Sequence, residues 1–348
     1  MTITRTRPRA LSHPQRRPAS AKVLRALGAV VVLFGAIGAS VALGSRTVDL
    51  GTVVDALTGF DAGIADHVVI RQLRIPRTIL AIIAGASLAV AGTLMQAVTR
   101  NPLADPGLLG VNAGAAFAVV LGASTLGAGP VTRVWLALAG ALVAAVVVYG
   151  LGTVGKGRPS PVRLVLAGAA TSALMFSLTR AITLIDQASL EQYRFWVVGS
   201  LIGRDMDVVW TVLPFITVGM VAALGISATL NSLALGDDTA KALGVRVGAA
   251  RATAGLAVML LAGAAVAAVG PIVFVGLVVP HLVRRLVGPD HRWAIPLSAV
   301  TGAALLLLCD TAGRLVLAPG ELQAGIVMAA VGGPAFVAVV RRMRGAEL

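Results

Sequence analysis

The sequence predicts an all-α polytopic membrane protein of about ten transmembrane helices, and three observations carry that prediction. Of 348 residues, 57% are apolar against 13% charged, with a mean hydropathy of +0.90. A soluble domain of this size could not hide so much apolar surface, so the bilayer is its solvent. The apolar residues are gathered into segments near the length that crosses the hydrocarbon, about 20 residues. The basic residues are spread unevenly between these segments, which gives the spans an orientation.

Residues 1–25 hold Arg5, Arg7, Arg9, Arg16, Arg17, Lys22 and Arg25 and no acidic residue. The apolar run at 24–44 that follows exceeds the apolar core of a secretory leader, about 7–15 residues, so it is expected as a retained first span. Residues 1–23 are then a basic cytoplasmic tail, 24–342 a single transmembrane domain, and 343–348 a C-terminal tail. Further spans are expected at 78–98, 108–125, 132–152, 163–183, 208–229, 252–270, 272–287, 295–316 and 324–340. Gly270 and Pro271 leave almost no loop between two of them, so a tight turn or broken helix is expected there.

Ten spans put both termini on one side. With that side inside, Arg100, Lys156, Arg158, Arg163, Lys241, Arg246, Arg251, Arg284, Arg285, Arg292, Arg341, Arg342 and Arg344 join the tail in facing the cytoplasm. This asymmetry matches the positive-inside rule. It accounts for much of the net charge of +14 without nucleic acid as a partner.

Several chemistries lack a foundation. GLGTVGKG at Gly150–Gly157 mimics a phosphate-binding loop, but Gly157 stands where Ser or Thr must follow Lys156, and Pro159 and Pro161 oppose the helix that should begin there. It is read as a glycine-rich cytoplasmic turn, so no nucleotide site is expected. No metal-ligand or nucleophile motif occurs, the four histidines are scattered, and the single Cys309 excludes an internal disulfide. The chain is therefore not expected to be an enzyme. An ion-coupled secondary carrier would place carboxylates inside its spans, and only Asp310 falls within one, with Asp186 just beyond another.

Leu230 to Val247, LNSLALGDDTAKALGVRV, is a polar interruption between two long apolar segments. Asp237 and Asp238 can cap the amides of a following turn and suit its positive end. Ala240, Lys241, Ala242 and Leu243 favour helix, and Gly244 suits the left-handed residue just past its end. A helix of two turns at most cannot span a membrane. It is either an ordinary amphipathic loop or a rigid knob through which a soluble motor pushes on the membrane domain.

The resemblance of longer stretches decides. TRNPLADPGLLGVNAGAAFAVVLGA (Thr99–Ala123) is a loop cornered by Pro102 and Pro106, running into a glycine-rich helix able to pack closely. With RIPRTILA (Arg74–Ala81), GPIVFVGLVVPHLVRRLVGPDHRW (Gly270–Trp293) and the 230–247 stretch, it resembles the FecCD family over about Val23–Arg342. These are permeases of ATP-driven importers for ferric siderophores, cobalamin and haem. The resemblance implies a type II ABC importer permease architecture like that of the cobalamin permease, with spans two to five and seven to ten as inverted repeats. It implies a second permease subunit, more readily a paralogue than a copy, an ATPase dimer that binds ATP and Mg, and an extracytoplasmic binding protein. Ferric siderophore is the expected substrate, with haem or cobalamin the alternative; no cofactor is expected in this chain.

Site residues follow from the same resemblance. Asp237, Asp238, Ala240, Lys241, Leu243 and Gly244 become the coupling loop, residues 230–248. Asn101 and Leu103, with Pro161 and Val162, fall on a cytoplasmic gate. Arg74, Arg77 and Arg314 are expected to dock the binding protein through their planar forks. Arg180, within the fifth span, departs from the family's small polar residue. Asp186 is six positions on and off its face. Arg180 either reaches the outer headgroups or lines the outer cavity and attracts an anionic ferric complex; the second is the expectation.

Overall fold

The computed structural model describes residues 19–44, 48–127, 129–153 and 161–344. The basic tail before residue 19, the turn carrying Lys156 and Arg158, and the last residues of the C-terminal tail lie outside them. Among the described residues every regular element is a helix. In order these are α1 (Ala19–Ala42), α2 (Leu50–Thr58), α3 (Ala65–Val68), a π turn (Val69–Arg74), and α4 (Ile75–Thr99). A 3-10 turn (Pro106–Leu109) leads to α5 (Val111–Leu126), α6 (Pro130–Thr153), α7 (Pro161–Ile185), α8 (Gln187–Val197) and α9 (Met206–Gly225). The chain ends through α10 (Ser227–Ala234), α11 (Asp237–Ala242), α12 (Val247–Val269), α13 (Val275–Val287), α14 (His291–Val316) and α15 (Ala324–Arg344).

Eight of these, taking 65–99 as one continuous helix, are long and apolar enough to cross a membrane. The shorter α5 and α13 occupy two further expected span positions, at 108–125 and 272–287. The break expected at Gly270–Pro271 is present: α12 ends at Val269, Gly270 adopts φ +78, and helix resumes only at Val275. The expected span 208–229 divides at Ile226, where α9 gives way to α10.

α4 is the most buried span and packs against α14, α12, α13 and α9. Small residues permit this closeness: a Cβ on Gly92 would collide with the backbone of Gly276 in α13, and one on Gly85 with that of Gly302 in α14. α5 and α6 meet in the same way through Gly114 and Gly140. α1 and α7 show most of their surface.

The short helices α2 and α8 were not expected. Each is started by an aspartate, Asp49 or Asp186, whose side chain accepts the amide two residues on. Both are too short to register as spans, and α8 is also polar. They lie at the end of the bundle where α14 finishes; α11 lies at the opposite end.

Candidate functional site

The stretch 230–247 folds as a braced knob. α11 begins at Asp237 as expected, but its N-cap position is Gly236, and no side chain caps it. The expected capping by Asp237 and Asp238 is therefore corrected. Asp237 Oδ1 instead accepts from Arg100 Nη2 at 2.6 Å and from Arg251 Nη2 at 3.0 Å. A carboxylate with two guanidiniums in reach gains more from charge-assisted bonds than from one amide. Arg100, the left-handed residue closing α4 (φ 51), also donates to the carbonyl of Leu233 at 2.7 Å. One carboxylate thus links the end of α4, the α10–α11 hinge and α12.

The far end of the knob closes as expected. Val245 N donates to Ala240 O at 3.0 Å and Gly244 N to Lys241 O at 2.9 Å, with Gly244 at φ +81. This bond pair satisfies the orphan carbonyls of the last turn. Ala240 is buried against the bundle, while Asp238, Lys241 and Leu243 project from it. Asp238 and Lys241 pair loosely at 3.4 Å in the open, which adds little stability.

Beside the knob, Asn101 Oδ1 accepts the amide of Leu103 at 2.9 Å, an Asx turn that shapes the loop after α4. Asn101 and Val162 line one cavity of about 230 Å³ with Met95, Thr99 and Leu109. Leu103 is exposed and outside its lining. Pro161 opens α7; its side chain lies outside the described residues.

At the opposite end, Arg74, Arg77 and Arg314, expected to dock a binding protein, are buried and turned to partners inside this chain. Arg77 Nε lies 2.9 and 3.1 Å from the two oxygens of Asp310, its Nη2 donates to Asp310 at 2.8 Å, and its Nη1 donates to Glu321 at 2.6 Å. Arg314 donates to the carbonyls of Ser40 and Leu43 and lies 3.3 Å from Asp310. Arg74 donates to the carbonyls of Val41 and Ala42 at 2.6 and 2.8 Å. Beside hydrocarbon, a guanidinium is better served by internal carboxylates and carbonyls than by waiting for a partner. The three forks tie the ends of α1, α4 and α14 together.

Arg180 is exposed on α7, on one face with Ala173 and Ser177, also exposed. Asp186 does not answer it; its carboxylate caps α8 through Ala188 N and Ser189 Oγ. The residues that sequence reasoning missed are Arg100, Arg251 and Glu321. They read as positive-inside charges or as a loop acid, and their partners are too far along the chain for any local pattern to mark them.

Residues 30–342 match the model of the FecCD transport family. The chain is 44% identical to the ferric enterobactin transport system permease protein FepD of Escherichia coli over 327 residues, 93% of this chain and 97% of that protein. It is 38% identical to the Fe(3+)-citrate import system permease protein YfmD of Bacillus subtilis over 332 residues, 95% of this chain and 98% of that protein. Its fold is similar to a solved inward-facing conformation of a metal-chelate type ABC transporter, with a TM-score of 0.82 at 27% identity, covering 92% of this chain and 99% of that one.

Proposed function

The chain belongs to the FecCD transport family, and from that premise we propose that it is the permease subunit of an ATP-binding-cassette importer that carries ferric siderophore into the cytoplasm. It is a multi-pass membrane permease rather than an enzyme. Iron enters the account as cargo, within the siderophore complex. The reading of the substrate is supported by relatives named for ferric enterobactin and ferric citrate; haem or cobalamin is the alternative.

The observation that carries the coupling role is the braced knob α11, fixed by Asp237 to Arg100 and Arg251 and presenting Asp238, Lys241 and Leu243 outward. In this reading the α11 end faces the cytoplasm, as the distribution of basic residues favours, and both termini lie there in the cell membrane. An ATPase dimer, holding ATP and Mg, presses on the knob. The push reaches α4 through Arg100 and α12 through Arg251, and a closed set of spans moves between two discrete arrangements. Asn101 and Val162 flank the inner gate, with Leu103 and Pro161 beside them. Arg180, with Ser177 and Ala173, faces the path shared with a second permease subunit, a paralogue. A binding protein delivers the complex to the outer end, whose ion-paired arginines frame the surface it meets.

The test is uptake into vesicles holding both permeases and the ATPase pair, with binding protein outside. ATP-dependent uptake of ferric enterobactin or ferric citrate is expected, with haem and cobalamin at background. Uptake of haem or cobalamin alone would replace the substrate, and uptake driven by a proton gradient without ATP would overturn the importer reading. Arg180→Ser is expected to slow entry of an anionic ferric complex by about tenfold while a neutral one is unaffected.

A further inference from the structure

A cavity of about 370 Å³ opens at the end of the bundle opposite α11, lined in part by Arg133, Gln192, Trp196, Ser200, Arg204 and Gln323. Calling this the outer end rests on the orientation proposed above; the cavity itself does not. Its walls come from α6, α8, the 198–205 loop, α12 and the segment entering α15. They are locked together at a junction of bare backbone. Ser200 N donates to Val269 O at 2.7 Å and Gly325 N to Gly199 O at 3.0 Å. Any side chain on Gly325 would strike the carbonyl of Val198. The cavity is therefore built by rigid contacts rather than left by a loose loop.

Two of its polar groups are unanswered, while Ser200 Oγ accepts the amide of Ile202 at 3.1 Å. Arg204 makes no hydrogen bond or salt bridge among the described residues, and its Nε is buried without a partner, as is the amide oxygen of Gln192. Arg133 has one long contact, 3.4 Å to the carbonyl of Gly129. The neighbouring Asp205 is spent on capping α9, where it accepts the amide of Val208. Burial, and next the charge of Arg133, hold the Arg204 guanidinium below its usual range, with Asp205 offsetting part of that. Two guanidiniums and a buried amide around one cavity contrast with the Arg77 cluster, where internal carboxylates do the compensating. Half a turn of the Gln192 amide presents a donor in place of its oxygen. The cavity then offers donors from three side chains, with the Ser200 hydroxyl and the Gln323 amide beside them.

We propose that this cavity is a binding site for a phosphate-class oxyanion, gripped by Arg133 and Arg204 and oriented by Gln192, Ser200 and Gln323. Planar guanidinium forks match the oxygens of a phosphate. Exposed Phe195 lines the cavity, and Trp135 on α6 and Trp210 on α9 are exposed near its end of the bundle, outside its lining. Such residues sit at headgroup depth, so a phospholipid phosphodiester reaches the site with its tails along α6 and α9. A soluble phosphate ester reaches it from water. The site is separate from the α7 path, since Arg180 does not line it.

The test is native mass spectrometry and thermal shift on the detergent-purified permease complex, with dioctanoyl-phosphatidylglycerol, glycerol phosphate and inorganic phosphate as probes. The parent is expected to retain one phosphatidylglycerol per chain of this sequence. Arg133→Gln and Arg204→Gln are each expected to weaken retention about tenfold, the loss of one charged hydrogen bond. Arg194→Gln, an exposed change on α8 away from the cavity, leaves retention as in the parent. Equal stabilisation by glycerol phosphate and the lipid, lost in the two variants, supports the oxyanion site with a soluble source. Stabilisation by lipid alone supports the headgroup source. A parent that binds none of the three probes, or variants that retain lipid as the parent does, overturns the proposal; the first readout needs no variant to fold.

Discussion

Asp310 faces two guanidiniums where bulk water does not reach. Removing its charge leaves Arg77 and Arg314 buried with one partly exposed carboxylate, Glu321, between them. Asp310→Asn is expected to destabilise the fold by about 3–5 kcal/mol. Glu321→Gln, at the wetter rim, is expected to cost about 1 kcal/mol or less. Thermal unfolding in detergent checks the contrast, and equal losses would show that the cluster is not held by Asp310. Much of this is visible in the sequence as separate facts: one acid within a span, and arginines in RIPR and near 314. What is not visible is that they meet. No local rule joins Arg77 to a residue 233 positions away, so the internal partners of this fork could not be read from the sequence alone.

Among the elements, α11 shows how local signals are read well and long-range ones are not. Its start at Asp237 and its end at Gly244 follow from helix formers, early acids and a late glycine. The cap failed because Arg100 and Arg251, brought in by α4 and α12, outcompete the backbone amides for Asp237. Space does not constrain Gly244, since nothing lies within 4 Å of the place a Cβ would occupy, so its demand is purely on φ. Gly244→Ala is expected to cost about 1–2 kcal/mol in the knob, and Gly244→Val more, because branching tolerates positive φ poorly. In vesicles, both should lower the transport obtained per ATP hydrolysed, Val the more. Asp237→Asn is expected to do the same by freeing the knob from α4 and α12. Full coupling in an assembled Asp237→Asn complex would remove α11 from the mechanism. α2 and α8 were missed for a different reason: a search tuned to long apolar windows passes over short capped helices.

For the molecule as a whole, the order of the apolar helices was legible because apolar length is a one-dimensional property, and eight of the ten expected spans are helices long and apolar enough to cross a membrane. Which span lies at the centre was not, because α4 owes its place to glycines whose partners sit in α13 and α14. The same separation bears on how the protein is made. α4 leaves the ribosome long before the carboxylate that will hold Arg77. At about 5–20 residues per second, the 233 positions between them amount to roughly ten to fifty seconds. During that interval the Asp310 partner of Arg77 is absent, so α4 is expected to ride shallow at its Arg77 end and to seat fully only when α14 arrives. A membrane-impermeant thiol reagent should therefore reach Thr78→Cys in nascent chains halted before residue 310. In the finished protein, where Thr78 is buried, the same position should be closed. That pair of results would mean that insertion and folding in this permease are not successive stages, the second span finishing its entry into the membrane by binding the ninth.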